Sequence, residues 1–178
     1  ETSSYQKADL PEQTDLSLLD YADTATDCTM EKGSEGITVS NLGADPNVVF
    51  PGVASCFADN DKLYGLSLTV DAPDETEMAV YYQTEGDEGF SAEKVYTFKV
   101  TEDNRTWEHL VPGGITELRV DVSSPVESAV INNFELKSCD ITESGYTALK
   151  ESGVDEVTFS DSTYQAQVTN DASENKML

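Results

Sequence analysis

Leu66-Ser67-Leu68-Thr69-Val70-Asp71 alternates apolar and polar residues, so Leu66, Leu68 and Val70 share one side of an extended chain and Ser67, Thr69 and Asp71 the other. The same period of two recurs downstream. Val80 and Tyr82 alternate with Tyr81 and Gln83, and Val95, Thr97 and Lys99 with Tyr96, Phe98 and Val100. Leu118, Val120 and Val122 alternate with Arg119 and Asp121, and Phe134 and Leu136 with Glu135 and Lys137. Runs of this kind, bounded by Gly, Pro, Asp and Asn, are the signature of half-buried strands. Several of them in succession predict an all-β antiparallel sandwich or barrel.

The intervening residues are turn formers. Asp71-Ala72-Pro73-Asp74 places Pro where φ is already set. Glu85-Gly86-Asp87-Glu88-Gly89-Phe90 and Pro112-Gly113-Gly114 carry glycines that tolerate tight reversals. Upstream, Cys28–Met30 and Ile37–Ser40 flank Gly33-Ser34-Glu35-Gly36 at hairpin spacing, and Asn47–Phe50 lies between Asp45-Pro46 and Pro51-Gly52. Downstream, Ser144 can cap a helix over Gly145–Ser152 with Gly153 just past its end. Val157–Ser160 and Thr163–Val168 then read as a hairpin. The expected organisation is a polar leader over Glu1–Asp23, a β-sandwich over Thr24–Ser138, and a linker helix with the first strands of a further β unit over Cys139–Leu178.

The 178 residues carry 10 Lys and Arg against 35 Asp and Glu, a net charge of −25, with acid spread along the chain and gathered in turns. Such a field repels phosphate backbones and anionic headgroups, so nucleic acid and acidic membrane surfaces are poor partners. No run approaches the roughly 18 apolar residues of a membrane span. The chain starts without Met and stops at Lys176-Met177-Leu178, which reads as the opening of another strand, so a piece of a larger protein is expected. Cys28, Cys56 and Cys139 have spacings unlike a zinc site. Three buried free thiols are expected, with Cys28–Cys139 the preferred pair should a disulfide form.

Two passages carry a resemblance. Ile115-Thr116-Glu117-Leu118-Arg119-Val120-Asp121-Val122 precedes Val130-Ile131-Asn132-Asn133-Phe134-Glu135-Leu136, with Leu66–Val70 and Met78–Gln83 ahead of both. This resembles the galactose-binding-like jelly-roll domain found in extracytoplasmic regions of bacterial polytopic membrane glycosyltransferases. Tyr146–Gly153, Val157–Phe159 and Tyr164–Asp171 are similar to the segment of YfhO-like membrane proteins just ahead of their C-terminal extracellular β unit. The resemblance implies a galactose-binding-like jelly roll on the extracellular face of a bacterial cell membrane, part of a larger multi-pass protein. Its task would be to bind or position cell-envelope glycan. It carries no catalytic residue with it, because the polytopic region where sugar chemistry is expected is not in this sequence. A stand-alone carbohydrate-binding module and a purely structural or adhesive domain remain open beside it.

The residues themselves give no reaction centre. His109 is the only histidine, and no nucleophile elbow accompanies it. Asp59 and Asp61 suggest a structural Ca²⁺ site, although Leu63 and Tyr64 break the EF-hand ligand order. Sugar binding calls for aromatic rings that stack on the C–H face of a pyranose, flanked by groups that bond its hydroxyls. The candidate contacts are Trp107, Arg105, Tyr81, Tyr96 and Arg119, with Tyr82 and Phe90 as further rings. Tyr81 and Tyr82 must face opposite ways, so one of them belongs to the core. Arg119, pointing away from Leu118 and Val120, is expected to pair with a carboxylate across the strands.

Overall fold

The computed structural model describes residues 7–10, 14–59, 62–123, 127–142, 144, 147, 148, 151–153, 156–159 and 165–167. In chain order the strands are β1 (Lys7–Leu10), β2 (Thr14–Ser17), β3 (Thr24–Thr26), β4 (Thr29–Gly33), β5 (Gly36–Ser40), β6 (Asn47–Phe50) and β7 (Lys62–Asp71). They continue as β8 (Thr76–Thr84), β9 (Val95–Val100), β10 (Thr106–Pro112), β11 (Ile115–Val122), β12 (Ser128–Thr142), β13 (Glu156–Phe159) and β14 (Gln165–Gln167). Single 3₁₀ turns occupy Leu19–Tyr21 and Val53–Phe57.

Two antiparallel sheets face each other, one ordered β10-β7-β12-β5-β4 and the other β3-β6-β11-β8-β9. This is the expected antiparallel β-sandwich of jelly-roll type. The alternation explains which side of each strand is inside. On β8, Thr76, Met78, Val80 and Tyr82 are buried while Glu77, Ala79, Tyr81 and Gln83 face out. On β11, Leu118, Val120 and Val122 point in, and Glu117, Arg119 and Asp121 point out. Phe50 of β6 meets Phe134 of β12 edge to face at 5.1 Å, joining the two sheets through the core. Fully burying a side chain of this size stabilises by about 2 kcal/mol, so the shared apolar layer holds the sandwich.

The residues before Thr24 take part in this core. β2 pairs with Glu135–Ser138 of β12, and the Leu18 N–H donates to the Phe134 carbonyl at 2.7 Å. Leu18 and Ala22 are buried, whereas Leu16 stays exposed on the outer side. β12 runs on to Thr142, past the Lys137 limit that alternation suggested, because β2 and β7 border it on both sides. Between Ile131 and Asn133 its register slips by one residue. Gly36 lies against that bulge with φ of +128°, where a Cβ would sit 2.2 Å from the Ile131 carbonyl oxygen.

At the C-terminal end, Ser144, Thr147, Ala148 and Glu151 have helical backbone. Ser152 N–H donates to Ala148 O at 3.0 Å, and Gly153 follows at φ of +93°. β13 pairs with β14 as the expected hairpin, and also lies parallel to β1. Cys28 and Cys56 are free thiols, both half-buried rather than fully enclosed. The Cys28–Cys139 pairing is therefore not formed. Cys28 Sγ instead donates to the Asn47 carbonyl at 3.6 Å, and burial pushes its thiol up from its ordinary pKa.

Candidate functional site

The outer face of the second sheet gathers the polar and aromatic side chains with the most to offer a ligand. Strand pairing sets Val49, Arg119, Tyr81 and Val95 in one row across β6, β11, β8 and β9. On either side of that row lie Asp121 beside Ala79, and Glu117 beside Gln83. All of these follow from one parity: odd-numbered residues of β8, and of β11 from Glu117 onward past the register shift at Ile115, face out because even-numbered ones carry the core.

Arg119 organises the face. Its Nε donates to Asp121 Oδ1 at 2.7 Å and its Nη2 to Asp121 Oδ2 at 3.0 Å, a bidentate fork. The guanidinium carbon lies 4.2 Å from the Tyr81 ring centre and 5.1 Å from that of Phe90. The two rings meet edge to face at 6.5 Å. The expected cross-strand ion pair is thus replaced by a pair within β11, since residues two apart on a strand share a face. Tyr81 takes the cross-strand position instead.

The electrostatics agree with this enclosure. Burial works against the charge on Arg119, but the Asp121 bonds and the charges of Asp121, Tyr81 and Asp45 outweigh it and hold the guanidinium above its ordinary pKa. Asp121 is raised above the usual carboxylate range by burial, with Asp45 adding to it, and the Arg119 contacts only partly draw it back. A charge that is half-desolvated and forked onto Asp121 keeps one orientation. Beside it, Gln83 Nε2 donates to Glu117 Oε2 at 3.2 Å.

Phe90 reaches this face from the loop between β8 and β9. That loop is wired through a single carboxylate oxygen: Asp87 Oδ2 accepts from Thr84 N–H at 2.8 Å and from Lys94 Nζ at 2.6 Å. Lys94 first, and then the Thr84 amide, hold the Asp87 carboxyl below its usual range. Sequence reasoning missed Asp87, Lys94, Gln83, Glu117 and Asp121 as parts of the site. Asp121 and Glu117, each two residues from Arg119, and Gln83, two residues from Tyr81, had a usable signal in that spacing.

The other sequence candidates lie elsewhere. Tyr96 is buried and stacks on Tyr82 at 5.8 Å, so Tyr82 is the core partner of the tyrosine pair. Trp107 stacks on Phe98 with ring centres 5.6 Å apart and planes 14° off parallel. His109 lies 4.8 Å from Tyr96 and its Nδ1 is 2.8 Å from the Leu110 carbonyl oxygen. Phe98 and Tyr96 come from β9 and Trp107 and His109 from β10, the two edge strands on one side of the sandwich. These rings close the gap between the sheets.

Arg105 stands in the chain segment between β9 and β10, bonded to Asp71, whose other oxygen accepts from Asn132 Nδ2 at 2.5 Å. It borders an open cleft of about 540 Å³ with Pro73, Asp74 and Glu102, away from the Tyr81 row. Asp59 is exposed just after the Val53–Phe57 turn, and Asp61 lies outside the described residues. Among the described residues no three His, Cys, Asp or Glu side chains come together as a metal site. A second cleft, of about 500 Å³, opens where β8 and β11 end, lined by Phe57, Thr84, Glu85, Gly114 and Thr116.

No family model matches the chain, and neither does any curated protein. Solved structures do resemble it. Part of an agarase, AgWH50C, superposes with a TM-score of 0.51 at 10% identity, covering 72% of this chain and 25% of the agarase. The CBM22-1 xylan-binding domain of Xyn10C from Paenibacillus barcinonensis gives 0.45 at 13% identity, over 74% of this chain and 97% of that domain. The C-terminal CBM6 of LamC, a marine laminarinase from Zobellia galactanivorans, gives 0.43 at 14% identity, over 70% and 98%. At these identities the likeness is one of fold. The chain corresponds to about a quarter of the agarase's length.

Proposed function

We propose that this chain is a non-catalytic glycan-binding domain whose ligand lies across the outer face of the second sheet. The observation that carries this reading is the Tyr81–Arg119–Phe90 cluster: two partly exposed rings and a fixed guanidinium on a flat strand surface. Aromatic rings beside oriented polar groups suit a sugar, whose C–H face is apolar and whose rim is all hydroxyl. Nε and Nη2 of Arg119 are committed to Asp121, and among the described residues no protein acceptor is bonded to Nη1. That nitrogen can donate to a ligand hydroxyl. Glu117 and Asp121 supply acceptors on either side.

The same geometry favours binding over catalysis. Asp121 is held by Arg119 and Glu117 by Gln83, so both are occupied in orienting the face. His109 is packed among the rings that close the sandwich edge. The agarase fold match accords with a polysaccharide ligand.

The wider setting belongs to the same proposal. The residue patterns over 115–136 and 146–171 support an extracytoplasmic domain of a bacterial multi-pass, glycosyltransferase-like membrane protein that positions cell-envelope glycan. A stand-alone carbohydrate-binding module is served equally by this face, and the two differ in what flanks the chain. Multiple membrane spans in the coding sequence upstream support the membrane protein, and a flanking glycoside hydrolase supports the module. Affinity electrophoresis through gels containing soluble polysaccharides tests the binding itself. Retardation that Tyr81→Ala abolishes is the expected result, and no retardation by any polysaccharide overturns the proposal.

A further inference from the structure

We infer that the glycan taken by this face is uncharged, a conclusion that rests on the glycan-binding reading and narrows it. Among the described residues three cations border the face, and each is already bonded to a carboxylate. Arg119 is held by Asp121, Lys94 by Asp87 at 2.6 Å, and Lys99 by Glu75 at 2.9 Å. Around them stand further carboxylates. Glu117 sits beside Gln83, Glu85 and Glu88 are exposed on the loop that carries Phe90, and Asp45 acts on both Arg119 and Asp121. The chain as a whole carries −25.

An anionic sugar would gain little here. Asp121 fills the Nε/Nη2 edge of Arg119 and neutralises its charge, so an anionic sugar reaching the remaining Nη1 side meets donors with no net positive charge behind them. It would also meet several like charges within a Debye length of about 10 Å. Like-charge juxtaposition of this kind is how interfaces reject wrong partners. A neutral sugar has the opposite balance. Its hydroxyls both donate and accept, so they can use the surplus of carboxylate acceptors as well as the one open guanidinium nitrogen. Hydroxyl donors to ionised oxygens make the stronger class of hydrogen bond.

The strip also has the length of a chain rather than a single ring. From Ala79 and Asp121 through Tyr81 and Arg119 to Gln83 and Glu117 it spans five residues of strand, four steps and roughly 14 Å at the usual rise. Beyond Gln83 and Glu117 the strands end at the 500 Å³ cleft bordered by Thr84 and Thr116.

The test is affinity electrophoresis of the whole chain against two sets of soluble polysaccharide, at low and high salt. The neutral set is xylan, mixed-linkage β-glucan and galactan, and the anionic set is polygalacturonate and alginate. At least one neutral polymer should retard the protein, in a manner lost with Tyr81→Ala and little changed by salt. The anionic set should bind at least about tenfold more weakly. Tyr81-dependent retardation by an anionic polymer as strong as by any neutral one overturns the uncharged assignment while leaving glycan binding intact. No retardation by either set overturns the glycan-binding reading along with it, and retardation indifferent to Tyr81→Ala overturns the placement of the ligand on this face and the uncharged assignment drawn from it.

Discussion

The guanidinium carbon of Arg119 lies 4.2 Å from the centre of the Tyr81 ring, its direct neighbour on the adjoining strand. A cation over a ring face is worth about 1 kcal/mol, more when water is excluded. The contact also fixes the plane of a group that would otherwise sample many rotamers. Tyr81 thereby supplies an apolar surface and orients the donor beside it. Tyr81→Ala should abolish glycan retardation while shifting the melting temperature little, because the ring faces out. Trp107→Ala should do the reverse. Trp107 is stacked on Phe98 and packed near Tyr96, so its loss should destabilise by about 3 kcal/mol and leave the Tyr81 face intact. Binding lost with Trp107→Ala in a folded, stable protein would move the site to the sandwich edge.

Much of this was legible in the residues, for physical reasons that differ from place to place. Alternation located β7, β8, β9 and β11 because burial on one face forces a period of two, and the same rule set Tyr81 and Tyr82 on opposite faces without telling which was core. The length of β12 was not legible, since Ser138-Cys139-Asp140 has no apolar alternation and the strand is carried past it by the pairing of Ser138 with Tyr64 and of Thr142 with Lys62. The platform was half legible. Tyr81, Phe90 and Arg119 could be nominated as residue types, but that Phe90 folds back over Arg119 depends on the Asp87 loop, which no periodicity encodes. The placement of Trp107 was not legible for the opposite reason. A lone tryptophan between Arg105 and Glu108 reads as a ligand contact until the pairing of β10 with β7 turns it inward.

Removing Asp121 should cost more than removing Arg119. Both side chains are largely enclosed, with 16% and 21% of their surface exposed respectively. Asp121→Ala leaves a half-buried guanidinium without its counter-ion, a loss of about 2 kcal/mol. The freed guanidinium should also turn toward solvent and leave the Tyr81 ring. Replacing both residues with apolar ones, Arg119→Met with Asp121→Leu, should recover most of the stability and none of the binding. Chemical denaturation of the three variants checks the order. A double variant no more stable than Asp121→Ala would mean that the pair does not act as a unit.

The loop that presents Phe90 should open in acid. Asp87 has a carboxyl held below its ordinary pKa by Lys94 and the Thr84 amide. Its contribution to folding is therefore fully present above the usual carboxylate value and is lost as the pH falls through the lowered one. Asp121 has the opposite sign, because its raised pKa favours the protonated form inside the fold. Its contribution is complete below the ordinary value and fades as the pH rises through the raised one. Measured relative to the intrinsic rate at each pH, protection of the Thr84 and Asp87 amides against hydrogen exchange should fall at the acid end, and Asp87→Asn should show that low protection at every pH. Protection at Thr84 that ignores both pH and Asp87→Asn would show that the loop is held by something else.

Two glycines at positive φ separate backbone strain from steric conflict. Gly86, at φ of +92°, has open space around it, so Gly86→Ala should cost only the conformational penalty of a left-handed residue, about 1 kcal/mol. Gly36, at φ of +128°, faces the bulge of β12, where an added Cβ would lie 2.2 Å from Ile131 O and 2.7 Å from Asn132 Cα. Neither neighbour is the tip of a flexible side chain, so the β5–β12 pairing has to part to admit it. Gly36→Ala should destabilise by about 3 kcal/mol or more and loosen β4 with β5, since β4 joins the sheet only through β5. The Tyr81 face is built on the other sheet, so whatever fraction of Gly36→Ala remains folded should bind glycan with unchanged affinity. Thermal melts of the two variants, with binding measured well below the melting point, decide the matter. Comparable melting temperatures for Gly36→Ala and Gly86→Ala would mean that β12 can yield at Asn132 without losing the sheet.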